Sequence, residues 1–160
     1  MIWFRLLLLP LLVFAAGQAP PPPTQPIAFS HAQHAGKMAI KCQSCHTNPK
    51  PGEMMTFPAE QTCMGCHQAI KKDSEQIQLL AKFAADKKRV PWVRVYQVPG
   101  YVFWSHRSHL EAKLSCSECH GEVSTMEVMF KAKETNMGSC MSCHARMQVS
   151  NDCSFCHERD

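Results

Sequence analysis

The 160-residue chain is poor in the residues that usually build or shape a polypeptide core. It has 3 Trp, 2 Tyr and 7 Gly, and its apolar residues are scattered between short motifs. It also has no arginine-rich run with interleaved aromatics, which argues against a nucleic-acid partner. These shortages predict a mainly irregular, loop-rich fold with short α-helices, in which something other than side chains supplies most of the core.

Long hydrophobic runs are missing as well. The apolar stretch at the N-terminus has eleven residues, follows Arg5 and is interrupted by Pro10, whereas spanning a bilayer takes about 20 residues. We therefore expect residues 1–17 to be a secretory signal peptide cleaved near Gly17 or Ala19, with an uncleaved anchor as the alternative. Export predicts a periplasmic or other extracytoplasmic location, either free or membrane-associated. No cysteine follows the apolar stretch, so a lipid-modified N-terminus is not expected.

Cysteine is absent outside one motif, C-x-x-C-H, which occurs five times and uses all ten cysteines. This motif is the signature for covalent attachment of haem c. Residues three and four apart share one helix face, so two thiols can bond one porphyrin while the histidine becomes the proximal iron ligand. The attachment cysteines are Cys42, Cys45, Cys63, Cys66, Cys116, Cys119, Cys140, Cys143, Cys153 and Cys156, and the proximal histidines are His46, His67, His120, His144 and His157.

A single C-x-x-C also occurs as a redox dithiol or as half of a zinc site. Zinc sites need paired C-x-x-C units, whereas here an odd number of units each carries its own histidine and no cysteine is left over. The sequence therefore predicts five covalently bound haem c groups.

Five haems in so short a chain must form the core themselves. The roughly 140 residues left after processing give about 28 per haem, and even domains of about 60 residues are marginal on their own. The formal charge of +4 omits the irons and propionates, so it does not give the sign of the mature surface.

An internal repeat divides the chain. Phe29 precedes the H-x-x-H pair His31 and His34, and the first motif begins eight residues after His34. A second aromatic and H-x-x-H pair, His106 and His109, precedes another motif by seven residues. Duplication is the economical explanation. The predicted segments are a Pro-rich linker at 18–26, a dihaem module at 27–72, a connecting helix and extended segment at 73–100, and a trihaem module at 101–160.

In the connecting segment, Ser74 to Arg89 is typical of a helix, which Asp73 or Ser74 can cap and Pro91 should end. Its apolar stripe is expected to pack against a haem face or the other half of the molecule. The stripe consists of Ile77, Leu80, Ala81 and Ala84. An extended segment at 92–98 and a turn at Pro99–Gly100 follow.

Five irons need five further axial ligands to be low-spin. The histidines that remain after the proximal set are His31, His34, His106 and His109, which leaves one iron without a histidine. A methionine should serve it, and ten are available.

The segment FWSHRSHLEAKLSCSECH, followed by motifs at Cys140 and Cys153, resembles the trihaem c7 type of class III multihaem cytochromes over residues 103–157. This resemblance implies that the first histidine of H-x-x-H serves the first haem and the second serves the next. It therefore implies the axial pairs His106–His120 and His109–His144, and by repetition His31–His46 and His34–His67.

The same resemblance implies a ligand for the third haem a few residues before the second motif of the trihaem module. No histidine lies there, but Met137 does, so we expect Met137 opposite His157, with Met126 or Met129 as alternatives. An axial methionine raises the potential, which would make this haem the highest in potential.

The whole mature chain also resembles the pentahaem cytochrome subunit of alternative complex III, a membrane quinol oxidoreductase. The likeness lies in the two-plus-three haem order, Trp92-Val93-Arg94-Val95, the segment from Pro99 to His109, and Cys119-His120-Gly121 followed by Met126 and Met137-Gly138. The residue after Pro99, usually acidic in that family, is Gly100 here.

These features favour an electron-transfer protein rather than an enzyme, because irons with both axial positions filled admit no small-molecule substrate. The partners would be redox proteins, foremost a membrane respiratory complex. The alternative is a multihaem reductase with one open coordination site, and a third interpretation is storage or structural metal binding without redox activity.

Overall fold

The computed structural model describes residues 21–47 and 54–157. Within these ranges there are short helices and no strand. The helices are the π-helix Ala32–Lys37, α1 (Cys42–Cys45), α2 (Glu60–His67), α3 (Glu75–Ala85), α4 (His106–Glu111), α5 (Ser117–His120), the 3₁₀ helix Val123–Thr125, α6 (Met137–Met147) and α7 (Cys153–His157). The predicted irregular fold with short α-helices is confirmed. The proposed signal peptide lies outside the described residues.

Helix α3 is shorter than the sequence predicts. It ends at Ala85 rather than near Pro91, because Lys87 adopts a left-handed conformation with φ of 53°. The Lys88 N–H then donates to the Phe83 carbonyl at 3.0 Å, and the Lys87 N–H donates to the Ala84 carbonyl at 3.3 Å. This pair of hydrogen bonds is the Schellman arrangement that ends many helices. Ser74 lies at the N-cap, but its side chain makes no capping hydrogen bond.

The buried side-chain core is very small. Within the described residues, the buried hydrophobic side chains are Ile27, Leu80, Val90 and Met126. Three of them form one cluster with the apolar face of α3 and with α2. The side chains packed around that cluster are Cys63, Met64, Ile77, Phe83 and Trp92. Ile77 and Leu80 of the predicted stripe therefore pack against residues of segment 27–72, and Phe83, which was not in the stripe, packs with them.

A buried carboxylate joins α2 to the end of the α3 connection. Glu60 is 4% exposed, accepts a hydrogen bond from the Val90 N–H at 2.8 Å and pairs with Arg89 at 3.3 Å. Because a buried charge is costly unless it is paired and hydrogen-bonded, this arrangement fixes the chain at Val90 against α2.

The Pro-rich linker is anchored at its C-terminal end. The Gln25 side-chain amide donates to the Val93 carbonyl and accepts from the Val93 N–H, both at 2.9 Å. Val93 lies in the predicted extended segment, which forms no ladder with another strand in the described chain. The side chain of Gln25 thus supplies the partners that a neighbouring strand would supply.

The two H-x-x-H segments form equivalent structures. The first is the π-helix, after which Ala39 takes φ of 53°, and the second is α4, after which Lys113 takes φ of 59°. Each left-handed residue lies three positions before the first cysteine of its motif. A π-helix accommodates one more residue than the corresponding α-helical turn. The extra residue between His34 and Cys42 is therefore accommodated within the π-helix. As a result, both repeats have their left-handed residue at the same distance from the C-x-x-C-H motif.

Candidate functional site: a set of paired histidines

The structure places four pairs of histidine rings next to one another. Each pair joins one histidine of an H-x-x-H segment to one histidine that closes a C-x-x-C-H motif. The ring centroids are 6.4 Å apart for His31 and His46, 6.1 Å for His34 and His67, 6.4 Å for His106 and His120, and 6.4 Å for His109 and His144. These are the four pairs that the c7 resemblance implies.

The spacing fits one iron between each pair of rings. Because a metal–histidine bond is about 2 Å long and the nitrogen lies about 1 Å from the ring centroid, rings on opposite sides of one metal have centroids about 6 Å apart. The rings of the first pair in each module are also nearly parallel, at 14° for His31 and His46 and 7° for His106 and His120. The residues present therefore fit an axially ligated haem iron.

Backbone carbonyls fix the tautomer of five histidines. A carbonyl oxygen only accepts, so the contacting Nδ1 must carry the proton, which leaves Nε2 free to bind a metal. The Nδ1–oxygen distances are 2.8 Å for His34 to Ser30, 3.0 Å for His46 to Thr56, 3.0 Å for His67 to Ile70, 2.8 Å for His109 to Ser105 and 2.9 Å for His144 to Ser150. The corresponding histidines of the two repeats, His34 and His109, thus both bond the carbonyl four residues earlier.

His31 is held neutral by its surroundings. Burial, followed by the nearby His46 and His34, lowers its pKa to about 4. Burial, followed by His106 and His46, also lowers the pKa of His120. Only a neutral imidazole has a lone pair for a metal, so both residues are in the state that ligation requires at neutral pH.

All ten cysteines lie within or at the edge of short helices. Four of them have perturbed pKa values, and burial is the largest cause in each case: the pKa is raised for Cys45, Cys63, Cys116 and Cys119. A catalytic dithiol shows the opposite, a lowered pKa that favours the thiolate. The direction of these shifts does not fit the dithiol alternative.

His157, the histidine of the fifth C-x-x-C-H motif, has a tyrosine as its ring neighbour. The Tyr101 ring lies 6.1 Å from the His157 ring at an interplanar angle of 26°. The Phe103 N–H donates to the Cys156 carbonyl at 2.7 Å and so ties this segment to α7. Met137 is the first residue of α6 and is 66% exposed. Its ligation of the fifth iron stays a prediction.

One of the two methionine alternatives, Met126, lies beside the third motif. Met126 is 5% exposed and packs close to Gly121, directly after the third motif. Gly121 has φ of 70°, and a Cβ there would come within 2.8 Å of the Ala132 Cβ, so glycine is required at this turn. Met126 is therefore part of the packing around His120.

Aromatic residues pack against several of these histidines, and one of them, Tyr96, was not singled out from the sequence. Tyr96 packs edge-on against His120 at 4.5 Å, and its hydroxyl accepts from the Ala132 N–H at 2.9 Å. Phe29 stacks on His34 at 4.5 Å, and Trp104 lies 4.3 Å from His106. For Phe29 and Trp104, the signal in the sequence was the aromatic residue that precedes each H-x-x-H pair.

In the part of the chain that the structure describes, no helix has the length and apolar character needed to cross a membrane. The same residues contain no cluster of three or more His, Cys, Asp and Glu side chains suited to a bare metal ion. The histidines come in pairs instead, so a macrocycle would have to supply the other ligands of an iron.

Comparison with known families gives one match over most of the chain. The family described as cytochrome c7 and related cytochrome c matches residues 27–87 and 102–158. No curated protein matched the chain. Proteins of this family carry several covalently attached haem c groups, transfer electrons and are typically extracytoplasmic. The chain belongs to the cytochrome c7 and related cytochrome c family, and it is a multihaem electron-transfer protein.

Proposed function

We propose that the chain is a pentahaem cytochrome c that passes electrons along a series of closely spaced low-spin haems. Each haem, when bound, supplies an iron that is reversibly reduced by one electron. The chain would hold one haem at each C-x-x-C-H motif through its two cysteines and its histidine. The observation that carries the proposal is the set of four histidine ring pairs at 6.1–6.4 Å.

The paired rings explain why four of the sites would transfer electrons rather than bind a substrate. The two histidines of a pair would both bind the haem iron and leave it no position for a substrate, and the Nδ1–carbonyl hydrogen bonds would keep Nε2 available for the metal. Axial ligands that do not exchange need little rearrangement when the charge on the iron changes.

The fifth site is the one that separates this function from the alternative of a multihaem reductase. We propose Met137 as its second axial ligand. The reductase alternative depends on this site because the four H-x-x-H histidines pair with the other four motifs, and the ring neighbour of His157 is Tyr101. Replacing Met137 by His should lower one midpoint potential, on the order of 0.1 V, and leave four unchanged. Unchanged midpoint potentials would contradict Met137 as the ligand. If Tyr101→Phe instead changed the midpoint potential of the haem at His157, Tyr101 would be its second ligand.

For the physiological role, we propose a subunit of, or a shuttle to, a membrane respiratory complex. The support is the sequence likeness to the pentahaem subunit of alternative complex III described above. Purification from gently solubilised membranes tests it. Co-purification with large integral partners would support a subunit, and recovery in the osmotic-shock fraction alone would support a shuttle.

Two measurements on the mature protein test the core of the proposal. Its mass should exceed that of the polypeptide by five haem groups. Electron paramagnetic resonance of the oxidised protein should then show five low-spin irons. A stoichiometric high-spin iron would favour the reductase, and a mass equal to the bare polypeptide would refute haem attachment.

A further inference from the structure

The two modules meet where the π-helix packs against the 3₁₀ helix Val123–Thr125. The Ala32 N–H donates to the Met126 carbonyl at 2.9 Å. Gly36 lies so close to the Ser124 backbone that a Cβ there would overlap the Ser124 carbonyl oxygen. The first H-x-x-H segment is therefore fixed to the chain that directly follows the third C-x-x-C-H motif.

The same contact brings equivalent positions of the two repeats together. Cys42 and Cys116 are the first cysteines after the two H-x-x-H segments, and their thiols lie close enough to interact electrostatically. His46 and His120, which close the same two motifs, also lie within electrostatic reach of each other. Equivalent residues of the two repeats therefore lie near each other.

Inside the dihaem module the neighbours are different. The second motif lies beside the first, because the Cys63 thiol is close enough to Cys45 to interact with it electrostatically. The second motif also packs on α3 through Cys63 and Met64. The first motif therefore faces both the second motif and the trihaem module.

We propose that the two modules are joined head to head through the equivalent motifs Cys42–His46 and Cys116–His120, and that electrons cross between the modules at this junction. The two motifs occupy equivalent positions in the two repeats, and the packing of the π-helix on Val123–Thr125 holds them next to each other. An electron crossing the junction leaves the iron at one motif oxidised and makes the iron at the other reduced, with no bond or proton transferred. The motif Cys63–His67 is then the outer end of the series.

This inference rests on the proposed function, since both motifs must hold haem. The test distinguishes a failure of the proposed function from a failure of the junction alone. The mass of the mature protein first establishes that five haems are present. Proton NMR of the intact, fully reduced protein then records nuclear Overhauser contacts between haem substituents. Fewer than five haems would overturn the proposed function, whereas five haems with other neighbours would overturn only the junction.

The expected result is direct contacts between the haems at Cys42–His46 and Cys116–His120, and between those at Cys42–His46 and Cys63–His67. No contact is expected between the haem at Cys63–His67 and any haem of the trihaem module. A contact of that last kind, or the absence of contacts between the first and third motifs, would refute the head-to-head arrangement.

A matched pair of glycine variants tests the same junction through the potentials. Gly36→Ala should push the Ser124 carbonyl away, weaken the contacts between the two junction haems and shift their two midpoints while the other three stay unchanged. Gly100→Ala, where a Cβ would meet no atom within 4 Å, should change none. Gly36→Ala with unchanged contacts and midpoints would contradict the junction, and if this variant does not accumulate, the NMR contacts of the unaltered protein still decide.

Discussion

The two H-x-x-H segments differ by one residue in their spacing to the following motif and yet present their histidines in the same way. The first is a π-helix and the second is the α-helix α4. In both, the second histidine bonds the carbonyl four residues earlier at 2.8 Å, and the first histidine lies 6.4 Å from the histidine of the next motif. The comparison shows that the histidines keep the same contacts in both repeats. The helix between the histidines and the motif changes its conformation to accommodate the extra residue.

The modules differ in how much polypeptide core they have. The dihaem half contains the cluster of Ile27, Leu80 and Val90 together with the buried Glu60. Among the described residues of the trihaem half, Met126 is the buried hydrophobic side chain. With haem bound, residues 101–160 would therefore depend more on their cofactors for stability, whereas residues 27–72 pack against α3.

The largest expected effect tests whether the two repeats hold their haems alike. His34→Ala and His109→Ala each remove one axial nitrogen, so in each variant one of five irons should become high-spin. Electron paramagnetic resonance of the oxidised proteins measures this. If only one of the two variants gains a high-spin signal, the repeats are not equivalent.

A second prediction tests the difference in core. Leu80→Ala should lower the free energy of unfolding by about 3 kcal/mol, because Leu80 is 5% exposed and its truncation leaves a cavity. The matched change Leu79→Ala, at a residue 37% exposed, should cost less than about 0.5 kcal/mol. Denaturant titration followed by haem absorbance measures both. Equal losses would show that α3 gives the dihaem half no core.

A third prediction compares a buried with an exposed carboxylate. Glu60→Ala leaves the Val90 N–H without its partner in a buried site and should cost about 2 kcal/mol. Glu111→Ala removes an exposed ion pair with Arg107 and should cost about 0.5 kcal/mol or less. The same titration applies, and a comparable loss in both variants would contradict the structural role given to Glu60.

The smallest effect concerns the left-handed residue that follows each H-x-x-H helix. Ala39→Gly and Lys113→Gly should each stabilise the protein by about 1 kcal/mol, since the left-handed conformation is unfavourable for residues with a Cβ. Lys37→Gly, inside the π-helix, is the control and should destabilise the protein by about 1 kcal/mol. Thermal melting of the three variants measures the shifts. Stabilisation in one repeat only would show that the turns differ.

The sequence was sufficient for the parts of the site that depend on local spacing. The C-x-x-C-H motifs, the H-x-x-H pairs and the irregular fold follow from residue type and order. The helix end at Ala85 was not predictable, because Lys87 adopts a conformation in which glycine is expected. Tyr101 was missed because its proximity to His157 depends on a hydrogen bond between Phe103 and Cys156, more than fifty residues apart in the chain.

The hydrogen bonds that orient the paired histidines affect which mutations the protein tolerates. The acceptors for His34, His46, His67, His109 and His144 are all main-chain carbonyls. A substitution changes a side chain but leaves the peptide oxygen in place, so no single replacement at the acceptor residue deletes the bond. Surface composition can then drift over evolutionary time while the imidazoles keep their orientation.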